Sequence, residues 1–208
     1  MTTTRNALIV IDVQDSFRMR ESWPTWATIS RPKIAETIAG LVESARERGD
    51  LVIWVLHEEP GSKGPFDPDN GLVRLIAPLT PGTGEPVLYK TSHNAFTTTG
   101  LAQTLTHHGI THVGVCGIRT EQCCETTARL AGDLGYRVFF IVDATATHPI
   151  AAPGCDLARP EQEILADPTT LHPPAIEERT VRVLDQRFAS VVTAQEYTAS
   201  ASGTMTRS

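Results

Sequence analysis

Three polar residues with complementary chemistry lie at the ends of predicted strands. Asp12 is near the end of the apolar run at residues 7–13, Lys90 ends the run at 86–90, and Cys123 follows a further run. In open parallel sheets, ligands bind beyond the carboxyl ends of the strands. There a thiol is a candidate nucleophile, a carboxylate its base and an ammonium group its stabilising cation. Each residue alone also has an ordinary structural explanation: a capping Asp, a Lys with a buried stem, or a small core Cys.

The position of Cys123 favours a reactive thiol. If Thr120 is the N-cap of a helix over residues 120–134, Cys123 is the third helical residue. It then lies close to free backbone N–H groups and the positive end of the helix dipole. We therefore predict that the thiol pKa of Cys123 is lowered. The helical period places Cys123 against the sheet and turns Cys124 about 100° away, so Cys124 is predicted to be a packing residue.

The elements that must position these residues follow an alternating pattern. Apolar runs alternate with helix-period segments, which is typical of βαβ units and a largely parallel sheet. Strands are predicted at residues 7–13, 51–56, 86–90, 112–116, 137–142 and 189–193. Helices are predicted between the cap Ser30 and the stop Gly49, and at residues 100–108, 120–134, 161–166 and 175–186. The predicted class is α/β, a Rossmann-like three-layer α/β/α fold with a six-stranded, mainly parallel sheet in the order 3-2-1-4-5-6.

The composition is that of an ordinary globular protein. The 208 residues fit one α/β domain spanning 1–208. A formal net charge of -6 argues against nucleic acid or an anionic membrane as a partner. No apolar run approaches the roughly 20 residues needed to span a bilayer. No signal peptide is visible, so we expect a cytoplasmic protein with reduced cysteines.

The segment at about 148–174 interrupts the alternation. It contains six prolines and no clear period apart from the short helix. We predict a Pro-rich insertion within the single domain, acting as a lid or reaching a neighbouring subunit. The Ser/Thr/Gly-rich tail from residue 198 is predicted to be frayed.

Three blocks of the sequence resemble the isochorismatase-like cysteine hydrolases. The blocks are Leu-Ile-Val-Ile-Asp-Val-Gln-Asp-Ser-Phe at 8–17, Tyr-Lys-Thr-Ser-His-Asn-Ala-Phe at 89–96, and Gly-Ile-Arg-Thr-Glu-Gln-Cys-Cys-Glu-Thr-Thr-Ala at 117–128. That superfamily includes nicotinamidases, N-carbamoylsarcosine amidases and ureidoacrylate amidohydrolases. The resemblance covers most of residues 7–144 and resumes at 187–196.

The resemblance implies a catalytic triad and an oxyanion site. Cys123 would be the nucleophile, Asp12 would carry its proton to the leaving nitrogen, and Lys90 would keep Asp12 ionised. A cis peptide between Ile118 and Arg119 would direct the backbone N–H groups of Arg119 and Cys123 at the oxyanion. The implied enzyme is an amidohydrolase that cleaves a C–N bond of a small amide, ureido or carbamoyl compound through a thioester, without a cofactor.

The sequence departs from two relatives. Nicotinamidases bind a metal through an Asp-x-His after the second strand, but here that stretch is Val55-Leu56-His57. We therefore expect no catalytic metal and do not expect nicotinamide as substrate. Isochorismatases that hydrolyse a vinyl ether lack the cysteine, so Cys123 argues against that chemistry.

Other residues are candidates for the substrate pocket, each with an ordinary core or surface alternative. Arg119 either binds a substrate carboxylate bidentately or faces solvent or a subunit interface. The remaining pocket candidates are Phe17, Trp23, Trp26, His93 and Phe96. The resemblance also implies a homodimer or homotetramer.

Two functions of other classes stay open. In one, the chain is a catalytically silent binding or scaffold protein on the same fold, and the thiol pKa would be ordinary. Alternatively, Cys123 and Cys124 would form a thiol redox sensor, although a disulfide between adjacent residues in a helix is strained.

Overall fold

A computed structural model describes residues 5–19 and 28–201. The strands are β1 (Asn6–Ile11), β2 (Leu51–His57), β3 (Val87–Lys90), β4 (His112–Ile118), β5 (Arg137–Ala146) and β6 (Ser190–Val192). The α-helices are α1 (Ile34–Arg48), α2 (Leu101–His107), α3 (Glu125–Asp133), α4 (Glu161–Ala166), α5 (Pro173–Leu184) and α6 (Ala194–Ala201). None of the described helices is long and apolar enough to cross a membrane.

The strands form one sheet in the order β3-β2-β1-β4-β5-β6, which confirms the predicted order. All five pairings between neighbouring strands are parallel. Strand β1 lies at the centre, where Ile11 pairs with Val55 on one side and with Gly117 on the other. The continuous apolar sequence of β1 fits a strand whose two faces are both covered.

Alternate residues of β1 supply two separate cores. Leu8 and Val10 pack on one face with α1 and with Tyr197 of α6. Ala7, Ile9 and Ile11 pack on the other face with α2, α3 and the end of α5. This division follows from the period of two in a strand and gives the predicted three layers.

Several boundaries differ from the sequence prediction. Strand β5 continues to Ala146 instead of ending at 142, after a register shift against β4. The tail predicted to be frayed from residue 198 begins as part of α6, because Tyr197 is buried and packs edge-on against Phe139. Ser30 does not cap α1; its hydroxyl accepts a hydrogen bond from the Thr147 N–H at 3.2 Å.

The Pro-rich segment closes on itself at its base. Ile150 and Leu171 exchange two backbone hydrogen bonds, of 2.9 and 2.8 Å, in an antiparallel bridge. Between them, the Thr170 hydroxyl donates to the carbonyl of Ile164 in α4 at 2.6 Å. These bonds satisfy backbone groups of a segment that lacks strand neighbours. Its role as a lid or as an interface element stays a prediction.

Gly117 marks the closest approach of β4 to β1. Its φ is 130°, and an added Cβ would overlap the carbonyl oxygen of Ile11, the residue before Asp12. We expect Gly117→Ala to lose at least ~3 kcal/mol of unfolding free energy, because backbone must move to relieve the overlap.

The matched control is Gly40→Ala inside α1, where an added Cβ meets no heavy atom within 4 Å. There the substitution should stabilise the fold by about 0.5–1 kcal/mol, through helix propensity. Urea unfolding of both variants measures the difference. A Gly117→Ala protein as stable as the wild type would contradict the close approach.

Candidate active site

Asp12, Lys90 and Cys123 converge in one buried cluster. Lys90 Nζ lies 2.7 Å from Asp12 Oδ2 and 3.3 Å from Cys123 Sγ. The side chains of Asp12 and Lys90 are fully buried, and Cys123 is only 6% exposed. The three residues that the sequence singled out therefore lie within direct contact of one another.

The strand order explains why a lysine and an aspartate occupy their positions. Strands β3 and β1 are separated by β2, so about 10 Å of sheet lies between their backbones. Only a long side chain such as that of Lys90 spans this gap. Asp12 leaves β1 with a φ of 54°, a left-handed conformation that Asp tolerates better than most residues. Its N–H is held by the carbonyl of Val55 at 2.8 Å.

Cys123 lies on a π-helical turn over Thr120–Cys124, not in the α-helix that the sequence predicted. The Cys124 N–H donates to the carbonyl of Arg119, five residues earlier, at 3.2 Å. The Thr120 hydroxyl does not cap this helix; it donates to the Thr145 hydroxyl at 2.9 Å and so ties the turn to β5. Cys124 is completely buried in the core beside the sheet, which agrees with its prediction as a packing residue.

The thiol pKa of Cys123 shifts in the direction opposite to the prediction. Burial and the neighbouring Asp12 carboxylate raise the pKa of Cys123 to about 12, although Lys90 acts to lower it. Burial also raises the pKa of Asp12, an effect that Lys90 opposes. Burial acts to lower the pKa of Lys90, but Asp12 and Cys123 raise it above its ordinary value. The raised pKa of Cys123 keeps its thiol protonated at neutral pH. The 2.7 Å contact with Lys90 pairs the ammonium ion with an Asp12 carboxylate.

The peptide bond between Ile118 and Arg119 is cis, at the position where the resemblance implies one. The Arg119 residue is only 4% exposed, so its side chain does not face solvent. Its charge acts to lower the pKa of Glu121, although burial makes the net shift of that carboxyl upward. Binding of a substrate carboxylate by Arg119 stays a prediction.

The other predicted pocket residues differ in how deeply they are buried. Phe17 is buried, with its ring edge-on to Phe66 at 5.1 Å between centroids. His93 is exposed, and its ring centroid lies 6.4 Å from that of His57, beside the triad. The ring of Phe96 stacks on that of Tyr136, with 6.2 Å between centroids, and both rings are partly buried against the core that contains Cys123. Trp23 and Trp26 lie outside the described residues.

Two residues of the site were missed as such by sequence reasoning. The side-chain amide of Gln14 accepts from the His57 N–H at 2.8 Å and donates to the His57 carbonyl at 2.9 Å. It thereby extends the β1–β2 pairing beyond the strand ends. The His57 ring in turn places Nδ1 3.4 Å from Lys90 Nζ. The available signal was the position of Gln14, two residues after Asp12 and directly after the apolar run at residues 7–13.

The described part of the chain contains no group of three or more His, Cys, Asp or Glu side chains arranged to hold a metal ion. The Nδ1 atom of the His57 ring faces the ammonium group of Lys90, 3.4 Å away. The Lys90 ammonium therefore lies where a metal ion bound by Nδ1 of His57 would lie.

A parallel sheet with a buried cysteine, aspartate and lysine at its carboxyl edge defines an α/β protein with a candidate nucleophile site. The isochorismatase domain matches residues 6–158. The crystal structure of an isochorismatase from Pseudomonas putida KT2440 superposes with a TM-score of 0.77 at 28% identity, over 92% of this chain and 89% of that one. The chain therefore belongs to the isochorismatase family, a family of hydrolases.

Two curated relatives are enzymes. Streptothricin hydrolase from Streptomyces noursei is 37% identical over 148 residues, 70% of this chain, and the chain spans about half (51%) of its length. Ureidoacrylate amidohydrolase from Klebsiella pneumoniae is 29% identical over 176 residues, which cover 69% of this chain and 73% of that enzyme. The family thus includes amidohydrolases.

The ion pair between Lys90 and Asp12 yields a prediction about stability. Lys90→Met leaves the Asp12 carboxylate buried without its cation, which should cost about 3–5 kcal/mol of unfolding free energy at pH 8. The double variant Asp12→Asn/Lys90→Met removes both charges and should recover at least ~1 kcal/mol of that loss. Urea unfolding of wild type, both single variants and the double variant gives the coupling energy.

The deficit of Lys90→Met should also depend on pH. Without its cation, Asp12 has a folded-state pKa above its unfolded-state value, so its ionisation destabilises the fold as pH rises through that interval. The deficit should therefore shrink as pH falls below the folded-state pKa. Strictly additive losses, or a deficit that grows on acidification, would contradict a buried ion pair.

Proposed function

We propose that this protein is a metal-independent cysteine amidohydrolase that cleaves a C–N bond of a small amide, ureido or carbamoyl compound. The observation that carries the proposal is the buried contact of the Lys90 ammonium with both Asp12, at 2.7 Å, and Cys123, at 3.3 Å. Membership of a family that includes a ureidoacrylate amidohydrolase supports this chemistry.

The first half of the proposed reaction acylates Cys123. The substrate carbonyl carbon is attacked by sulfur as the thiol proton moves to Asp12, forming a tetrahedral adduct with a negative oxygen. The backbone N–H groups of Arg119 and Cys123, beside the cis peptide, are the proposed donors to that oxygen. The adduct then breaks its C–N bond while Asp12 returns the proton to nitrogen, which leaves as ammonia or an amine.

The second half hydrolyses the thioester. Asp12, again ionised, takes a proton from water as the water oxygen adds to the acyl carbon. Collapse of this second adduct expels the Cys123 sulfur, which recovers a proton from Asp12. The acyl group leaves as a carboxylic or carbamic acid, and the site returns to thiol, carboxylate and ammonium.

Lys90 makes the proton transfer from Cys123 feasible. The thiol pKa of about 12 disfavours a free thiolate at neutral pH. The Lys90 ammonium touches both partners in the transfer, so it stabilises the thiolate as the carboxylate loses its charge. The raised pKa of Asp12 helps in the same direction, because it makes the carboxylate a stronger base.

The redox alternative receives less support from the geometry. Cys124 is fully buried among apolar side chains, and burial raises the pKa of its thiol well above the ordinary value. A thiol of this kind forms little thiolate, the form that oxidants and disulfides require. The experiments that follow distinguish an enzyme from a catalytically silent scaffold protein.

The first experiment screens ureides and carboxamides for ammonia release by the purified protein. Cys123→Ala should lower turnover by at least about a thousandfold, because the nucleophile is lost. Cys124→Ala, which removes the adjacent buried thiol, should keep activity within about tenfold of the wild type. Mass spectrometry of a quenched reaction should find the acyl group on the peptide that contains residue 123. Turnover that survives in Cys123→Ala, or a panel without any substrate, would argue against the proposal.

A second experiment separates the two effects of Asp12. Asp12→Asn should lower hydrolysis by about 10²–10⁴-fold, because proton transfer to and from the substrate is lost. The same substitution removes an anion that raises the Cys123 pKa, so the pH midpoint of iodoacetamide labelling should move downward. Peptide mass mapping at residue 123 measures the labelling. A midpoint that rises or stays fixed would contradict the assigned charge state of Asp12.

A further inference from the structure

His57 contacts the triad but has no part in the proton transfers of the proposed reaction. It is the last residue of β2 and pairs in register with Lys90 of β3. Its side chain is 14% exposed, so it lines the cluster from the side nearer to solvent. The hydrogen bonds around Lys90 indicate what it does there.

The Lys90 ammonium group has three N–H donors, and three acceptor atoms lie around it. They are Asp12 Oδ2 at 2.7 Å, Cys123 Sγ at 3.3 Å and His57 Nδ1 at 3.4 Å. An ammonium group donates three hydrogen bonds and accepts none. Because Lys90 is fully buried, a donor without an acceptor there would carry a large desolvation cost. His57 supplies the third acceptor.

This contact fixes the tautomer of His57. Nδ1 must carry a lone pair toward Lys90, so the single imidazole proton belongs on Nε2, which lies 3.3 Å from Glu59 Oε1. The backbone of His57 is held on both sides by the amide of Gln14. The ring is also packed edge-on against Phe66, at 5.5 Å between centroids. These contacts together fix the orientation of the imidazole ring.

The charges around His57 favour its neutral form. Lys90 and the exposed His93 face it from the β3 side, Glu59 lies beyond its own strand, and Asp12 acts from β1. Burial and then Lys90 lower the pKa of His57 below its ordinary value, although Asp12 and Glu59 oppose that shift. At neutral pH the ring is therefore an acceptor at Nδ1, without a second positive charge against Lys90.

We propose that His57, in its neutral Nε2–H form, is a positioning residue that holds the Lys90 ammonium against Cys123 and Asp12. It acts through Lys90 and needs no contact with the substrate. Its expected effect on hydrolysis rests on the proposed function, but its effect on the reactivity of the Cys123 thiol does not. The inference therefore has tests that succeed or fail without any substrate.

The first test measures the iodoacetamide labelling rate of Cys123 at pH 8 in two variants. His57→Leu removes the acceptor, so Lys90 should hold the thiolate less well and labelling should slow about tenfold or more. His57→Asn places a neutral side-chain oxygen near the position of Nδ1, so labelling should stay within about threefold of the wild type. The matched control is His112→Leu, the same substitution at the opposite end of the sheet, which should leave the rate unchanged.

The second test observes the tautomer directly in the wild-type protein. Two-bond ¹H–¹⁵N spectra of protein labelled at its seven histidines, assigned by the signals lost in His57→Asn, should show a neutral Nε2–H imidazole at pH 7. An Nδ1–H or charged ring would overturn the proposal even if His57→Leu does not fold. It would also be overturned by wild-type labelling in a folded His57→Leu, or by a loss in His57→Asn as large as that in His57→Leu. Failure to hydrolyse any amide would instead count against the proposed function alone.

Discussion

The contact between Asp12 and Lys90 places a positive and a negative charge where water does not reach either. Each ion alone would carry a desolvation cost of several kcal/mol at such a position, so the two must be brought together accurately. Much of the surrounding geometry serves that requirement. The left-handed backbone of Asp12 and its hydrogen bond to Val55 fix one partner. The β2–β3 register and His57 fix the other.

The order of the strands determines which side chains meet at this ion pair. Strand β1 carries the carboxylate at the centre of the sheet, and β4 beside it delivers the thiol on the turn that follows. Strand β3 is two strands away from β1 in the sheet, so the side chain that it contributes to the ion pair must be long. Gly117 permits β4 to approach the end of β1 without a Cβ between them. The chemistry of the site and the close packing of β1 against β4 are thus parts of one arrangement.

The sequence was sufficient for the strand order and for the convergence of Asp12, Lys90 and Cys123. The parallel sheet and the polar residues at its strand ends follow from local signals: apolar runs of strand length, helix periods between them, and polar residues where the runs end. The order of the strands needs more than local signals, and the resemblance to a known family is consistent with it. The sequence was not sufficient for the π-helical turn, in which the Thr120 hydroxyl contacts Thr145 of the distant strand β5 and does not cap a helix. The same holds for α6, whose last turns form because Tyr197 finds a buried position against a distant strand.

The error about the Cys123 pKa has a more general physical cause. Sequence reasoning counted the helix end and the lysine, which favour a thiolate, but not the burial and the adjacent carboxylate, which oppose it. With His57 neutral, the resting cluster of thiol, carboxylate and ammonium has no net charge. Moving the proton from Cys123 to Asp12 gives thiolate, carboxylic acid and ammonium, which again sum to zero. A buried site disfavours net charge far more than it disfavours this internal transfer, so the thiol proton should move to Asp12 and not to solvent when a carbonyl carbon takes the electron pair of sulfur.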